Sequence, residues 1–187
     1  MLVTSERRDM KIYTGRGDDG LTDLRDMSQV SKASPRIEAY GTVDEVNALV
    51  GVVRPLEYED VEDCLREVQN QLHVVQADFA TPEPAEDDPV VTESHVEAVE
   101  EWIDEFDAEL DPLEQFVLPS GSEPGAKLHH ARAVCRRAER RAVELAGTQP
   151  EINERAIVYL NRLSDLLFTL ARVVNKREGN REEHPTY

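Results

Sequence analysis

At 187 residues the chain is sized for one domain around a single core. It carries 39 Asp and Glu against 21 Lys and Arg, a net charge of −18, so phosphates would be repelled. That excludes nucleic acid and an anionic membrane surface as general partners.

Aromatic residues make up only 5%, so the core must be mostly Val, Leu, Ile and Ala. Glu83–Asp111 alone holds thirteen acids and no Lys or Arg. A surplus dispersed in this way fits a salt-adapted, halophilic protein whose self-repulsion is screened. The start, MLVTSERRDM, is too polar for a signal peptide, and no run of about 18 apolar residues occurs. A cytoplasmic location is expected.

Residues 1–10 read as a flexible lead-in. KIYTGRGDDGLTDLRDMSQVSKASPR follows, with Gly15, Gly17 and Gly20 close together. Glycines let backbone N–H groups approach a ligand, so the stretch reads as a loop, either a plain arm or a phosphate site. The Gly-Lys-Ser/Thr ending of a P-loop is absent. From Pro35 to Arg54-Pro55, Ile37, Tyr40, Val43, Val46, Val50 and Val53 recur at helical spacing. Asp44 lies in this helix, and Gly41 suggests close packing.

The second helix has the seam Val61, Leu65, Val68, Leu72, Val75 and Phe79, ending near Thr81-Pro82. The third starts at the N-cap Thr92 and ends at Asp111-Pro112, with the stripe Val96, Val99, Ile103, Phe106 and Leu110. FVLPSG, from Phe116 to Gly121, is either a buried plug or an apolar wall beside a site. Helix four runs from about Pro124 to Leu145, with Gly147 at its end. Helix five spans about Glu151–Lys176 on the seam Ala156, Leu160, Leu163, Leu167, Leu170 and Val174, and 178–187 reads as a flexible tail. No β-strand is needed. The expected fold is a single all-α domain, a five-helix up-and-down bundle.

Cys64 and Cys135 sit in separate helices and read as small buried hydrophobes. A di-iron site would need Glu-x-x-His pairs, which the chain lacks. His129 and His130 read as a helix surface pair, and no metal ligand set is expected.

The densest feature is KLHHARAVCRRAERR, residues 127–141, holding six of the 21 basic residues against one acid, Glu139. Arg132, Arg136 and Arg140 follow i, i+4, i+8 and form a ridge beside the apolar arc of helix four. Glu139 borders the ridge and would hold one guanidinium. Two partners are open: the protein's own acids, or a polyphosphate, whose oxygens suit permanently charged Arg forks.

KIYTGRGDDGLTDL, EAYGTVDEVNALVG, FVLPSG, RAVCRRAERR and YLNRLSDLLFTLAR occur in that order. Together they resemble the ATP:cob(I)alamin (corrinoid) adenosyltransferases of the propanediol-utilisation, or PduO, type, over about residues 11–176. The resemblance implies a ferritin-like bundle forming a homotrimer with active sites between subunits. It implies transfer of the 5′-deoxyadenosyl group of ATP to cob(I)alamin, with Mg²⁺, giving adenosylcobalamin and triphosphate. A cobalamin reductase and an adenosylcobalamin-dependent mutase are the implied further partners.

On that reading residues 11–35 form the nucleotide loop, in which Thr14, Gly15, Arg16, Gly17, Asp18, Asp19 and Gly20 wrap ATP and Lys32 reaches a phosphate. Arg136, Arg137, Glu139, Arg140 and Asn161 complete the nucleotide site. Asp44 pairs with Arg132 across the subunit interface, and Phe116 lies by the corrin and displaces the lower axial ligand of cobalt. The chain departs from the family's Thr-Lys-Thr-Gly-Asp-Lys-Gly: Gly15 and Asp19 stand where it has lysines, and Arg16 restores one charge. LPSG replaces LPGG. The other classes consistent with the residues are an ATP-binding regulator, a cobalamin delivery protein, or a structural bundle whose arginines pair only with acids.

Overall fold

The computed structural model describes residues 13, 15–149 and 151–187; the lead-in 1–10 and Thr14 fall outside the described residues. The five seams become α1 Pro35–Val53, α2 Glu59–Ala80, α3 Glu93–Asp107, α4 Glu123–Ala146 and α5 Glu154–Arg177. Most starts are chemically marked. Ser34 Oγ accepts from the Ile37 N–H at 3.4 Å, Ser122 Oγ from Gly125 at 3.2 Å, and Asn153 Oδ1 from Arg155 at 3.1 Å. These bonds satisfy N–H groups that a helix leaves unpaired. The start of α2 has no side-chain cap; Glu59, Asp60 and Glu62 complement its dipole instead.

In the bundle α4 lies between α1 and α5, with α2 on α1 and α3 on α5. Cross-helix pairs fix the directions. Glu45 of α1 meets Arg137 of α4, and Glu38 approaches Arg141, so those helices run antiparallel. Glu93–Arg155 at 3.2 Å and Glu100–Arg162 at 2.6 Å are one heptad apart on both α3 and α5, so that pair is parallel. Exposed pairs such as these contribute only about 0.2–1 kcal/mol each. The stability lies in the seams: Leu65, Leu72, Leu160, Leu163, Leu167, Leu170 and Phe79 are fully buried, at about 1.5–3 kcal/mol for each large side chain.

The structure departs from the sequence reading in several places. Residues 21–31 form an antiparallel hairpin, β1 Leu21–Asp23 and β2 Gln29–Ser31, where only loop was expected. Leu24, buried in its turn, ties the hairpin down. The third helix stops at Asp107, four residues early, and its α5 neighbours supply competing donors. Lys176 Nζ takes the Glu109 carbonyl at 2.6 Å and Arg172 takes that of Asp111 at 2.9 Å. A Cβ on Gly41 would meet nothing within 4 Å, so close packing there is not found within the chain.

His129 is buried, not a surface residue, because its position on α4 turns it toward Phe168 of α5. The tail expected to be flexible instead runs back along the FVLPSG loop, where Leu118 N–H donates to the Glu183 carbonyl at 2.8 Å. Cys64 and Cys135 are buried free thiols, as expected; burial pushes Cys64 up to about 12.

Candidate functional site

The six cations of residues 127–141 divide into two sets. Lys127 binds Glu123 at 2.7 Å, Arg141 binds Glu144 at 2.8 Å, and Arg137 binds Glu45. Arg132, Arg136 and Arg140 make no ion pair within the chain among the described residues. These three are the i, i+4, i+8 ridge. In a chain with 39 acids, three arginines left without a carboxylate point to a ligand or a second chain. Arg140 donates to the Arg136 carbonyl at 3.0 Å, which holds it along the helix.

Arg132 and Arg136 line a cavity of about 570 Å³ with Phe116 and Val117 of the FVLPSG loop and Asp165 and Phe168 of α5. Its walls differ in character. The loop wall joins apolar Leu113, Phe116 and Val117 to polar Glu114 and Gln115, and Phe116 stands 79% exposed, so of the two readings the buried plug is not what forms. The α4 wall is cationic. Arg132 lies with its guanidinium 5.8 Å from the Phe168 ring centre, and its buried Nε has no hydrogen-bond partner among the described residues. Burial and then the neighbouring Arg136 lower the Arg132 pKa, while Asp165 opposes them. Arg172 approaches the same Phe168 ring at 5.9 Å, so two guanidiniums lie within cation–π reach of one ring.

Beside the ridge, Asn161 Nδ2 donates to Glu139 Oε1 at 3.0 Å, and its Oδ1 accepts from Arg162 at 2.9 Å. Glu139 therefore holds an amide, not the guanidinium expected of it. Arg137, expected at the nucleotide, is engaged by Glu45 within the chain. Asp44 is exposed on α1, and the acids on α1 that pair with α4 are its neighbour Glu45 and, one end further, Glu38.

The glycine loop is folded by its own side chains. Lys32 Nζ donates to the Gly17 carbonyl at 2.7 Å, and a Cβ on Gly17 would lie 2.9 Å from that ammonium. Gly15 and Gly20 take φ of 73° and 84°, the left-handed region open to glycine. Asp19 Oδ1 accepts from the Leu21 N–H at 3.2 Å, so this acid caps the turn into β1. Arg16 pairs with Asp23 at 2.9 Å. Asp18 is exposed.

The loop joins α1 at its first residue, at the end of the bundle where α4 finishes, as the Glu38–Arg141 approach shows. The Phe116 cavity lies at the middle of the bundle, against Arg132 and Arg136 of α4 and Asp165 and Phe168 of α5. One chain thus carries the loop at one end and the cavity at mid-bundle. Among the described residues no three His, Cys, Asp or Glu side chains converge as a metal cluster. Mg²⁺ commonly takes one or two carboxylates and completes its shell with phosphate oxygens and water. Asp18 fits that limited role.

Sequence reasoning missed Phe168, Arg172 and Asn175. Phe168 and Arg172 stand one helical turn apart on α5, a spacing that brings an aromatic under a guanidinium, and that was the available signal.

A family model described as cobalamin adenosyltransferase matches residues 12–174. A corrinoid adenosyltransferase of Mycobacterium tuberculosis (strain ATCC 25618 / H37Rv) is 45% identical over 171 residues, covering 88% of this chain and 89% of that protein. One from Bacillus subtilis (strain 168) is 42% identical over 176 residues, covering 91% and 89%. Among solved structures, a phenylalanine-to-alanine variant of a PduO-type ATP:corrinoid adenosyltransferase from Lactobacillus reuteri, complexed with cobalamin and ATP, superposes with a TM-score of 0.87. It is 33% identical, and the match covers 95% of this chain and 100% of that one.

Proposed function

Because the chain belongs to the cobalamin adenosyltransferase family, we propose that it transfers the 5′-deoxyadenosyl group of ATP to the cobalt of cob(I)alamin. The products are adenosylcobalamin and triphosphate. The observation that carries this is the arginine ridge: Arg132 and Arg136, which make no ion pair among the described residues, line a cavity together with the exposed Phe116.

The chemistry asks little of acid–base groups. Co(I) is itself the nucleophile; its electron pair forms the Co–C5′ bond while the C5′–O bond breaks and leaves its pair on the triphosphate. What needs stabilising is the growing charge on that leaving group. Arg136 and Arg140 supply fixed donors, Lys32 and the N–H groups of Gly15–Gly20 hold the phosphates, and Asn161 with Glu139 borders the nucleotide. Thr14, Arg16, Asp18 and Asp19 complete the loop, with Asp19 acting through the turn it caps. Mg²⁺, when bound with ATP, would further neutralise the phosphates, with Asp18 as its protein ligand. Phe116 stands where an aromatic ring would exclude the lower axial ligand of cobalt.

The assembly proposed is a homotrimer in which the loop of one subunit meets the cavity of the next. Three features support it: loop and cavity set apart along one chain, Asp44 exposed, and an Arg132 Nε with no hydrogen-bond partner among the described residues. Asp44 of the partner subunit meets the accessible side of the Arg132 guanidinium. Arg137 leaves Glu45 for the nucleotide when ATP binds. We place the reaction in the cytoplasm, fed by a cobalamin reductase and drained by a mutase. No described helix is long and apolar enough to cross a membrane.

The test mixes the protein at high salt with ATP, Mg²⁺ and chemically reduced cobalamin. Adenosylcobalamin should form, with one triphosphate released for each. ATP binding with neither product would favour a regulator or delivery protein and sink the enzyme assignment.

A further inference from the structure

The loop that carries Phe116 is held by the last stretch of the chain. From α5, Asn175 Oδ1 accepts from the Ser122 N–H at 2.9 Å, and its Nδ2 donates to the Ser120 carbonyl at 2.9 Å. After α5 the chain turns at Gly179, φ 74°, and the Asn180 N–H returns to the Asn175 carbonyl at 2.8 Å. Residues 182–184 then lie beside 116–118. Leu118 N–H donates to the Glu183 carbonyl at 2.8 Å, and His184 Nδ1 is 3.0 Å from the Phe116 carbonyl oxygen.

Glu182 anchors this arrangement. It accepts from Arg172 Nε at 2.5 Å, and the Arg172 side chain is only 5% exposed. Arg172 also donates to the Asp111 carbonyl, just before the loop, and lies over Phe168 on the cavity wall. A carboxylate on a buried arginine is hard to release, because its departure would leave the guanidinium only the longer pair with Asp107 at 4.0 Å. The Phe116 side chain, by contrast, is 79% exposed and has little packing to fix it. Its place is therefore set by the backbone on either side, and that backbone bonds to the tail.

We propose that residues 181–184 are a positioning brace for Phe116, with Glu182 as the positioning residue. The brace sets how well the ring excludes the lower axial ligand of cobalt. The inference rests on the role proposed for Phe116, and its residues lie beyond the region matched by the family model.

Two variants test it: the chain ending at Asn180, and Glu182→Gln. The first readout is amide hydrogen exchange at Leu118, which needs no cobalamin. Truncation should speed it at least about tenfold, and Glu182→Gln should speed it less. The second is the spectroscopic signature of four-coordinate cob(II)alamin in the presence of ATP, which should weaken in both variants. The third is rate: turnover starting from cob(II)alamin and a reductant should fall about tenfold more than turnover from cob(I)alamin, with ATP affinity unchanged.

Unchanged Leu118 exchange in both variants overturns the brace. Faster exchange with an undiminished four-coordinate signal, while Phe116→Ala abolishes that signal, overturns the positioning role alone. If Phe116→Ala also leaves the signal intact, the reading of Phe116 fails, and the proposal with it. Should the shortened chain not fold, Glu182→Gln decides on the same readouts.

Discussion

Lys32 folds back across the glycine loop, its ammonium donating to the carbonyl of Gly17 at 2.7 Å. Its own N–H donates to the Gly20 carbonyl at 2.9 Å, so main chain and side chain of one residue both close the loop. The Lys32 ammonium and the loop's N–H groups are thereby brought together before any phosphate arrives, which reduces the ordering cost of binding.

That arrangement makes Gly17 testable. A Cβ there would meet the Lys32 ammonium at 2.9 Å and the Leu21 carbonyl at 3.3 Å. The nearer atom is the end of a flexible side chain, so Gly17→Ala should fold while moving the ammonium off its carbonyl. The expected outcome is ATP binding weakened about tenfold, some 1.4 kcal/mol, with a melting temperature close to that of the parent. Isothermal titration with ATP measures the first and a thermal scan the second. Unchanged affinity would remove Lys32 from the phosphate site.

A glycine at the other end of the bundle should behave differently. A Cβ on Gly121 would lie 2.2 Å from Asn175 Oδ1, and one on Gly125 would lie 2.1 Å from it. Asn175 is buried and cannot move without releasing Ser120 and Ser122. Gly121 also has a φ of 117°, which disfavours any side chain. Gly121→Ala should therefore cost about 2–4 kcal/mol, from overpacking together with lost buried hydrogen bonds. Asn175→Ala should cost less alone, and the double variant should fall short of the sum because the two share one contact. Urea unfolding of the three chains measures this.

These two glycines show where sequence reading works and where it stops. Gly15, Gly17 and Gly20 announced a loop by composition, and the ridge of Arg132, Arg136 and Arg140 followed from helical spacing alone. The helix seams were legible for the same reason: one buried stripe at steps of three and four leaves a pattern. The hairpin at 21–31 was hidden because its strands have three residues each, too few to show alternation. His129 was misread because a polar residue on an apolar arc carries no mark of burial. The tail was unreadable because Glu183 contributes its backbone carbonyl, which every residue has. The division of cations, with Arg137 paired and Arg136 not, depends on Glu45 lying across the α1–α4 contact, which no local pattern encodes.

Arg177 gives a stability prediction with a sign. It donates to both carboxylate oxygens of Asp60, at 2.8 and 2.6 Å, and also to Glu109, joining α5 to the start of α2 and the end of α3. The hydrogen bond from Arg177 holds the Asp60 carboxyl below its ordinary value of 3.8, against an opposing push from burial. A lowered folded pKa means the stabilisation is present above the unfolded value and is lost as pH falls through the folded one. Asp60→Asn should therefore melt below the parent at pH 7, and the gap should close on acidification past about pH 4. Asp60 is half exposed, so solvent screening limits the gap to about 1 kcal/mol. A gap that persists unchanged at pH 2 would mean packing, not charge, is responsible.

Salt should act on the whole molecule in the opposite sense from its action on single pairs. With 39 acids against 21 bases, repulsion among like charges outweighs the exposed ion pairs. The screening length falls from about 10 Å at 0.1 M to about 3 Å at 1 M. The melting temperature should thus rise with added salt, first with sodium chloride and equally with potassium chloride. A melting temperature independent of salt would count against salt adaptation.

Arg136 is the residue on which the catalytic proposal depends most. It is exposed, makes no ion pair within the chain among the described residues, and lines the cavity together with Phe116. Its removal should leave the fold untouched, since no carboxylate depends on it. If Arg136 meets the leaving triphosphate, Arg136→Ala should lower kcat by about 10²–10³, some 2.7–4 kcal/mol, as for loss of one preorganised donor. ATP affinity should fall much less, because the charge it answers grows as the C5′–O bond breaks. Arg136→Lys should recover only part of the rate, since an ammonium restores charge without the two-pronged geometry. Steady-state kinetics with pre-reduced cobalamin, alongside a melting scan, separate these effects. Equal losses in kcat and in ATP affinity would make Arg136 a ground-state binding residue, and unchanged kinetics would return the ridge to the protein's own surface.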